Sequence, residues 1–509
     1  QVLAATRVFL WQIPNAASVR GSVRWMQTGY VSTDNHLLLR KLTVFGLDLG
    51  MSILLVLCLL CVCAFEFING FHDTANAVAT VIYTNSLKPW RAVLLSGLLN
   101  GIGVFVGGTA VAMGIINMLP VETLVDQNMA HSLCMVAAIL LTAIFWNLGT
   151  WLLAIPASSS HTLVGSIVGV GIAYSLLPGT GEAAVNWLKA GEVGLSLLIS
   201  PLFGFLLAIM LLSLMAKLFA SSRTLFTSPE GDAPPPWWIR SILVLTCGLV
   251  SFSHGSNDGQ KGIGLMMLIL IGIIPATFAL NQNVPAQDLE KAVAIIQQDF
   301  AAAKDTAPSP GFRSKLEKAD AAIEQLALLS ATIASESKYG LNSFEVRKNI
   351  LLLRNELKNL KNEPDFTKSA EAKSLYEHTE KLKQFTDYAP FWVVVLIALS
   401  LGIGTMVGWK RIVVTIGEKI GKTHLTYAQG ATAEIVAAST IAASTYLGLP
   451  VSTTHVLSSG IAGSMFASGG VNNLDRGTVT KILLAWVLTL PVCLTMSATL
   501  FLLFRYVFG

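Results

Sequence analysis

The sequence predicts an all-α, polytopic membrane helical bundle, and three observations carry that prediction. First, 53% of its 509 residues are hydrophobic and only 13% charged, with a mean hydropathy of +0.63; a soluble domain carries about twice that charge fraction. Second, of 34 basic and 30 acidic side chains, fifteen and sixteen fall within 281–388. The remainder holds runs free of Asp, Glu, Lys and Arg at 49–65, 92–121, 128–181, 193–216, 241–257, 262–287, 388–409, 435–474 and 482–504. A crossing helix needs about 20 apolar residues, so these runs amount to roughly 10–12 spans or half-spans. Third, polar motifs recur at matching places in two halves.

The continuous apolar runs exclude a transmembrane β-barrel, whose segments alternate over about ten residues, and a single anchored enzyme domain. The net charge of +4 is spread over loops with no basic face, so no nucleic-acid partner is expected. Cys58, Cys61, Cys63, Cys134, Cys247 and Cys493 all lie in apolar runs and read as small buried hydrophobes. The Cys58-x-x-Cys61 spacing has no histidine beside it, which argues against a metal or redox centre.

In chain order, residues 1–44 are an N-terminal extension in which Arg7, Arg20, Arg24, Arg40 and Lys41 stand against Asp34. It has no run long enough to span and is expected to be poorly ordered. A first membrane repeat follows over 45–220, then a linker over 221–240. A second repeat starts at 241–280, is interrupted by 281–388, and resumes over 389–509. The interrupting segment shows apolar residues at three- and four-residue spacing over 286–303, 312–336, 342–362 and 367–385, with breaks at Pro308, Pro310 and Pro364. It is expected to be a small soluble helical insert.

Two motif pairs mark the duplication. Asn69-Gly70-Phe71-His72-Asp73 matches His254-Gly255-Ser256-Asn257-Asp258 at an offset of 185, and Pro156-Ala157-Ser158-Ser159-Ser160-His161 matches Pro450-Val451-Ser452-Thr453-Thr454-His455 at 294. The offsets differ by 109 residues, close to the length of the insert. Repeated interruptions of apolar segments are the best sequence pointer to a secondary transporter's midplane site, so broken helices are expected at both pairs.

Proline suits the first turn of a helix. Each hydroxyl triplet should therefore sit where free N–H groups and the positive end of the helix dipole also point. Two such ends, lined by Ser158, Ser159, Ser160, Ser452, Thr453 and Thr454, would donate to a small oxyanion. A serine hydrolase is disfavoured: there is no G-x-S-x-G elbow, and a duplicated nucleophile serves no purpose. His161 and His455 read as packing residues.

Intramembrane charges are functional candidates by default. Asp73 and Asp258 occupy equivalent repeat positions beside glycines; Glu66 and Glu434 lie near the ends of apolar runs and could face water. Carboxylates beside anion-receptive helix ends make sense if a proton or cation travels with the anion. Phosphate still carries a proton at neutral pH and can donate it to a carboxylate, which sulfate cannot, so the combination favours phosphate. Lys261 stands where the first repeat has Asn76. An ammonium cannot ligate sodium, so Lys261 points to proton coupling.

At these residues the chain resembles the inorganic phosphate transporter (PiT) family, and within it the bacterial low-affinity proton-coupled symporters. The match is carried by Gly70-Phe71-His72-Asp73-Thr74-Ala75-Asn76-Ala77, by Ser253 through Gly262, and by both Pro-x-(Ser/Thr)₃-His elements. The resemblance implies two inverted repeats, phosphate held between broken helices, and uptake of a neutral divalent-metal phosphate, for instance with magnesium, together with protons. Carried onto this chain it implies a phosphate site at Asp73, Asn76, Ser158, Ser159, Ser160, Asp258, Ser452, Thr453 and Thr454, with Asn257, Gln260 and Lys261 as further candidates. Coupling falls to Asp73, Asp258, Lys261, Glu66 and Glu434.

The expected protein is thus a multi-pass transporter of the bacterial inner membrane, not an enzyme. It needs no cofactor and no fixed metal; its partners are phosphate, coupling protons (or sodium) and membrane lipid, with a homo-oligomer admitted. The alternatives are sodium coupling, or a transporter or channel for another oxyanion such as sulfate.

Overall fold

The computed structural model describes residues 47–119, 129–177, 185–229, 231, 233–336, 339–418 and 420–508; the expectations for 1–44 lie outside them. Contacts divide the chain at Ser52/Ile53. The described part of Gln1–Ser52 is chiefly the opening turn of the first helix, and everything below concerns Ile53–Gly509.

The first repeat comprises α1 (Leu49–Asp73), α2 (Ala75–Tyr83), α3 (Pro89–Val106), α4 (Ala110–Ile116), α5 (Met129–Leu152), α6 (Ser159–Ser175) and α7 (Trp187–Leu218). The second opens with α8 (Trp237–Ile273). After the insert helices α9 (Ala286–Asp305), α10 (Asp320–Glu336), α11 (Ser343–Leu360) and α12 (Ala370–Lys381) it continues through α13 (Phe391–Thr405), α14 (Lys410–Glu418), α15 (Tyr427–Tyr446), α16 (Thr453–Gly469) and α17 (Arg476–Phe508). No strand occurs among the described residues. Among the described residues six helices are long and apolar enough to cross a membrane, or seven if the bent α12–α13 region counts as one span. The other membrane-region helices are shorter or more polar.

The two halves exchange partners. Helix α6 packs on α17, the last helix of the second repeat, while its counterpart α16 packs on α7, the last helix of the first. Both closing helices carry an internal proline, Pro201 and Pro491. Glycines make the exchange close: a Cβ at Gly70 would collide with Leu401 O, and one at the equivalent Gly255 with Asn100 O. Gly103 meets Phe252 O, and Gly404 meets Phe67 O. Small residues that let backbones approach are how membrane helices associate without a hydrophobic drive between them.

The insert is amphipathic by design of its spacing. Leu289, Val293, Ile296 and Phe300 on α9 meet Ile323 and Leu326 on α10, Ile350, Leu353 and Leu357 on α11, and Leu375 on α12. Such stripes bury one face of each helix, and truncating Leu353, which is fully buried, to alanine would cost about 2–5 kcal/mol.

Candidate functional site

Each hydroxyl triplet is placed by the turn before it. Helix α5 ends with Ala154 in the left-handed region (φ +55°), its N–H on Trp151 O and that of Ile155 on Thr150 O. Helix α15 ends in the same way at Gly448 (φ +68°), with Gly448 N on Thr445 O and Leu449 N on Ser444 O. This is the paired-bond helix stop in which a left-handed residue reverses the chain. A short extended segment then leads to Ser158 and Ser452, which cap α6 and α16 by accepting from His161 N (3.2 Å) and His455 N (3.1 Å). Pro156 and Pro450 therefore lie two residues before the caps rather than in the first turn, because the extended backbone suits proline while the serines take the capping position.

The triplets divide their work. The capping hydroxyls of Ser158 and Ser452 serve the helix ends, and the second and third residues face inward. Ser159 Oγ lies 3.3 Å from Asp73 Oδ2 and 3.3 Å from Asp258 Oδ2. Thr454 Oγ1 donates to Asp73 Oδ1 at 2.6 Å and receives the Asn76 amide at 3.0 Å. Ser160 donates instead to Val451 O at 2.6 Å, tying α6 to the turn of the other repeat. Thr453 Oγ1 and Asn76 Oδ1 are buried without a protein partner. Lys261 Nζ sits 2.6 Å from Asp258 Oδ2, with both side chains out of contact with solvent.

The sequence expectations need correction at three places. Asp258 does not mark a helix break: it lies inside the continuous α8, and the glycines around it serve contact, Gly255 with Asn100, Gly259 with Val104 and Gly262 with Glu66. At Asp73 the interruption is the single residue Thr74. Glu66 and Glu434 are fully buried rather than turned to water. Glu66 accepts from Asn69 Nδ2 (3.4 Å), which also reaches Asp258 (3.4 Å), whereas Glu434 accepts from the hydroxyls of Thr80 and Thr246.

Asn257 and Gln260 are committed to protein partners, mostly backbone, rather than open to a ligand. Asn257 donates to Thr445 Oγ1 (2.9 Å) and Leu449 O (3.2 Å), and accepts from Val451 N (3.3 Å). Gln260 accepts from Val111 N (2.8 Å) and donates to Gly107 O (2.6 Å), holding the first turn of α4. Both amides thus position chain around the site.

Sequence reasoning passed over His254, Asn69 and His72. His254 Nε2 faces both carboxylates, 3.4 Å from Asp258 Oδ2 and 3.7 Å from Asp73 Oδ2, while its Nδ1 is 3.0 Å from Asn100 Oδ1. His72 Nδ1 lies 3.3 Å from Asp73 Oδ1. The available signal was spacing: His254 stands one helical turn before Asp258 and at the repeat position equivalent to Asn69. His161 and His455, by contrast, pack against one another with ring centroids 4.5 Å apart, and His455 stacks on Trp486 at 3.9 Å.

Chemically, the arrangement offers acceptors and donors within one buried cluster. Asp73, His254 and Asp258 present ligand atoms within 4.8 Å of one another, close enough to hold a cation. Around them stand hydroxyls on two helix first turns whose N–H groups have no intrahelical partner. The site can therefore take an anion and a cation together.

The chain matches a family model described as "Phosphate transporter family" over residues 69–497. It is 40% identical over 489 residues to the low-affinity inorganic phosphate transporter PitA of Escherichia coli K12, covering 90% of this chain and 97% of that one. A probable low-affinity inorganic phosphate transporter of Bacillus subtilis is 28% identical over 458 residues, at 90% and 99% coverage. Among solved structures, "The sodium-dependent phosphate transporter" is similar in fold, with a TM-score of 0.50 and 20% identity over 89% of this chain and all of that one.

Proposed function

Because the chain belongs to the phosphate transporter family, we propose that it carries inorganic phosphate across a membrane as a secondary active symporter coupled to protons. Its family and relatives are transporters rather than enzymes, and the apolar helices fit a multi-pass integral membrane protein.

One observation carries this reading: the two repeat-related carboxylates, Asp73 and Asp258, meet around a single Ser159 hydroxyl between the first turns of α6 and α16. One hydroxyl has one proton and can serve only one carboxylate at a time. Asp258 Oδ1, buried without a protein partner, is left to accept from the substrate's own P–OH, which phosphate has and sulfate lacks. The half-helix dipoles and free N–H groups offset the charge of the remaining phosphate oxygens.

Proton coupling is supported by His254 and Lys261. The Asn100 amide donates to Thr405 Oγ1 at 2.8 Å, so its carbonyl oxygen accepts from His254 Nδ1. The opposite imidazole edge then faces two carboxylates and needs a proton or a bound cation there to avoid lone-pair repulsion. Lys261 supplies a fixed positive charge on Asp258 where a sodium ion would otherwise balance it. The cation-sized cluster of Asp73, His254 and Asp258 supports a second reading, in which a divalent metal enters with phosphate as cargo. Inverted repeats working by alternating access, and a bacterial inner-membrane location, complete the proposal.

The test is labelled phosphate uptake into proteoliposomes with pH, sodium and magnesium gradients imposed one at a time and sulfate as competitor. Uptake driven by an inward proton gradient and spared by sulfate is expected. A strict sodium requirement would overturn the coupling, and sulfate uptake would overturn the substrate.

A further inference from the structure

We propose that the cavity of about 1230 Å³ between the insert and helices α4 and α7 is an oxyanion antechamber to the site, with the insert as its roof. The proposal rests on the transport reading and assigns the insert a role in it.

The cavity's floor is the part of the protein bonded to the neighbours of Asp258. Thr109 and Ala110 at the start of α4 line it, as do Leu447 and Gly448 at the left-handed turn before the second triplet. These two pieces are the ones that Gln260 and Asn257 hold, and those amides flank Asp258 on α8. The chain that lines the cavity here is thus tied, through two side-chain amides, to the residues beside Asp258. Released together, the two amides would open the cavity toward the site.

The roof is built to stay in register with that floor. Arg347 on α11 is buried, with 1% of its surface exposed. It donates to Ala279 O (3.1 Å) and Thr386 O (2.8 Å), where the chain enters and leaves the insert, and reaches Met113 Sδ on α4 at 3.8 Å. Thr109, at the N-cap position of α4, donates to Asp387 O (3.3 Å), and the Asp387 carboxylate pairs with Arg354 on α11 at 3.2 Å. Lys358 on α11 pairs with Glu192 on α7 at 3.1 Å.

Charge gives the ligand class. Five cationic side chains line the cavity, Lys189, Arg354, Lys358, Lys381 and Lys383, against three acidic ones. A concave space with net positive lining raises the local concentration of anions and their rate of arrival. Such an antechamber collects phosphate weakly and releases it onward, as a site on a path must.

The experiment is uptake by reconstituted Lys358→Gln/Lys381→Gln/Lys383→Gln protein across phosphate concentrations at low and high ionic strength. The antechamber predicts KM raised about three- to tenfold at low salt with kcat within about twofold of wild type, and the two proteins converging at high salt as screening removes the steering. Equal KM at low salt overturns it. A second variant, Leu447→Cys, treated with an anionic membrane-impermeant thiol reagent harmless to wild type, should lose uptake when labelled from the insert's side. Full labelling with unchanged uptake would place the path elsewhere. Wild-type vesicles without any phosphate uptake would instead overturn the transport reading, and the antechamber with it.

Discussion

Lys261 and Asp258, one helical turn apart on α8, form an ion pair of 2.6 Å with neither side chain reaching solvent. A buried pair is costly to break by removing one partner, about 3–5 kcal/mol, and far cheaper to remove whole. Lys261→Gln alone should therefore lower abundance in the membrane, and Lys261→Gln/Asp258→Asn should recover it while remaining without phosphate uptake. Abundance that is not recovered in the double variant would mean the pair is not the stabilising unit.

On the proposed reading, Asp73→Asn and Asp258→Asn each remove an acceptor that the protonated substrate and the coupling proton need. Each should abolish uptake, measured against immunodetected abundance: Asp73→Asn in otherwise wild-type protein, where it should leave protein in the membrane, and Asp258→Asn in the Lys261→Gln background, where no unpaired ammonium is left buried. Full residual transport in both would remove the site from these residues.

Ser159→Ala deletes the one hydroxyl shared by the two carboxylates. The loss of a hydrogen bond to a charged group, about 1.5–3 kcal/mol, translates to roughly a ten- to hundredfold weaker phosphate interaction. Ser160→Ala touches only Val451 O and should instead act on stability, so the two variants separate binding from packing in the same uptake and thermal-melting assays.

Ala154 and Gly448 hold the same left-handed turn in the two halves. Gly448→Ala would strain that backbone and bring a Cβ to 3.2 Å of Ala110, so it should destabilise by about 1–2 kcal/mol. Ala154→Gly relieves the equivalent strain and should be neutral or stabilising. Thermal melting of detergent-solubilised protein reads both; a lower melting point for Ala154→Gly than for Gly448→Ala would contradict the turn assignment.

The insert should respond to alkali. Tyr339 is buried and donates to Val284 O at 2.8 Å, and burial pushes its hydroxyl up from 10.0 to about 12. A raised folded value contributes stability that is whole below pH 10 and is lost as pH rises toward about 12. Helix loss followed by circular dichroism should track tyrosinate absorbance across that window, and Tyr339→Phe should flatten the slope. A slope unchanged in Tyr339→Phe would assign the transition to other groups.

Much of this molecule is legible from its sequence because both solvents leave periods in it. Apolar runs without charge mark the membrane helices, and the three- and four-residue spacing of 286–303 marks α9. The duplication is legible because Asp73 and Asp258 carry their neighbours with them. What the sequence hides is which surface each polar residue meets. Gln260 looks like a ligand until Val111 and Gly107 are found to occupy it. His254 looks like part of a motif until two carboxylates are found on its far edge. The glycines beside Asp258 signal freedom or closeness alike, and only the carbonyl of Asn100 decides for closeness.

The exchange of helices between halves has a topological consequence. Since α6 lies on α17 and α16 on α7, neither half carries a complete interior of its own. Severing the chain within 221–235 would yield two fragments bound like the strands of a symmetric dimer, each supplying what the other lacks. Neither hydroxyl triplet can then shift as the private property of its repeat: a displacement beginning beside Asp73 is delivered, through the borrowed helix, to the opposite end of the polypeptide.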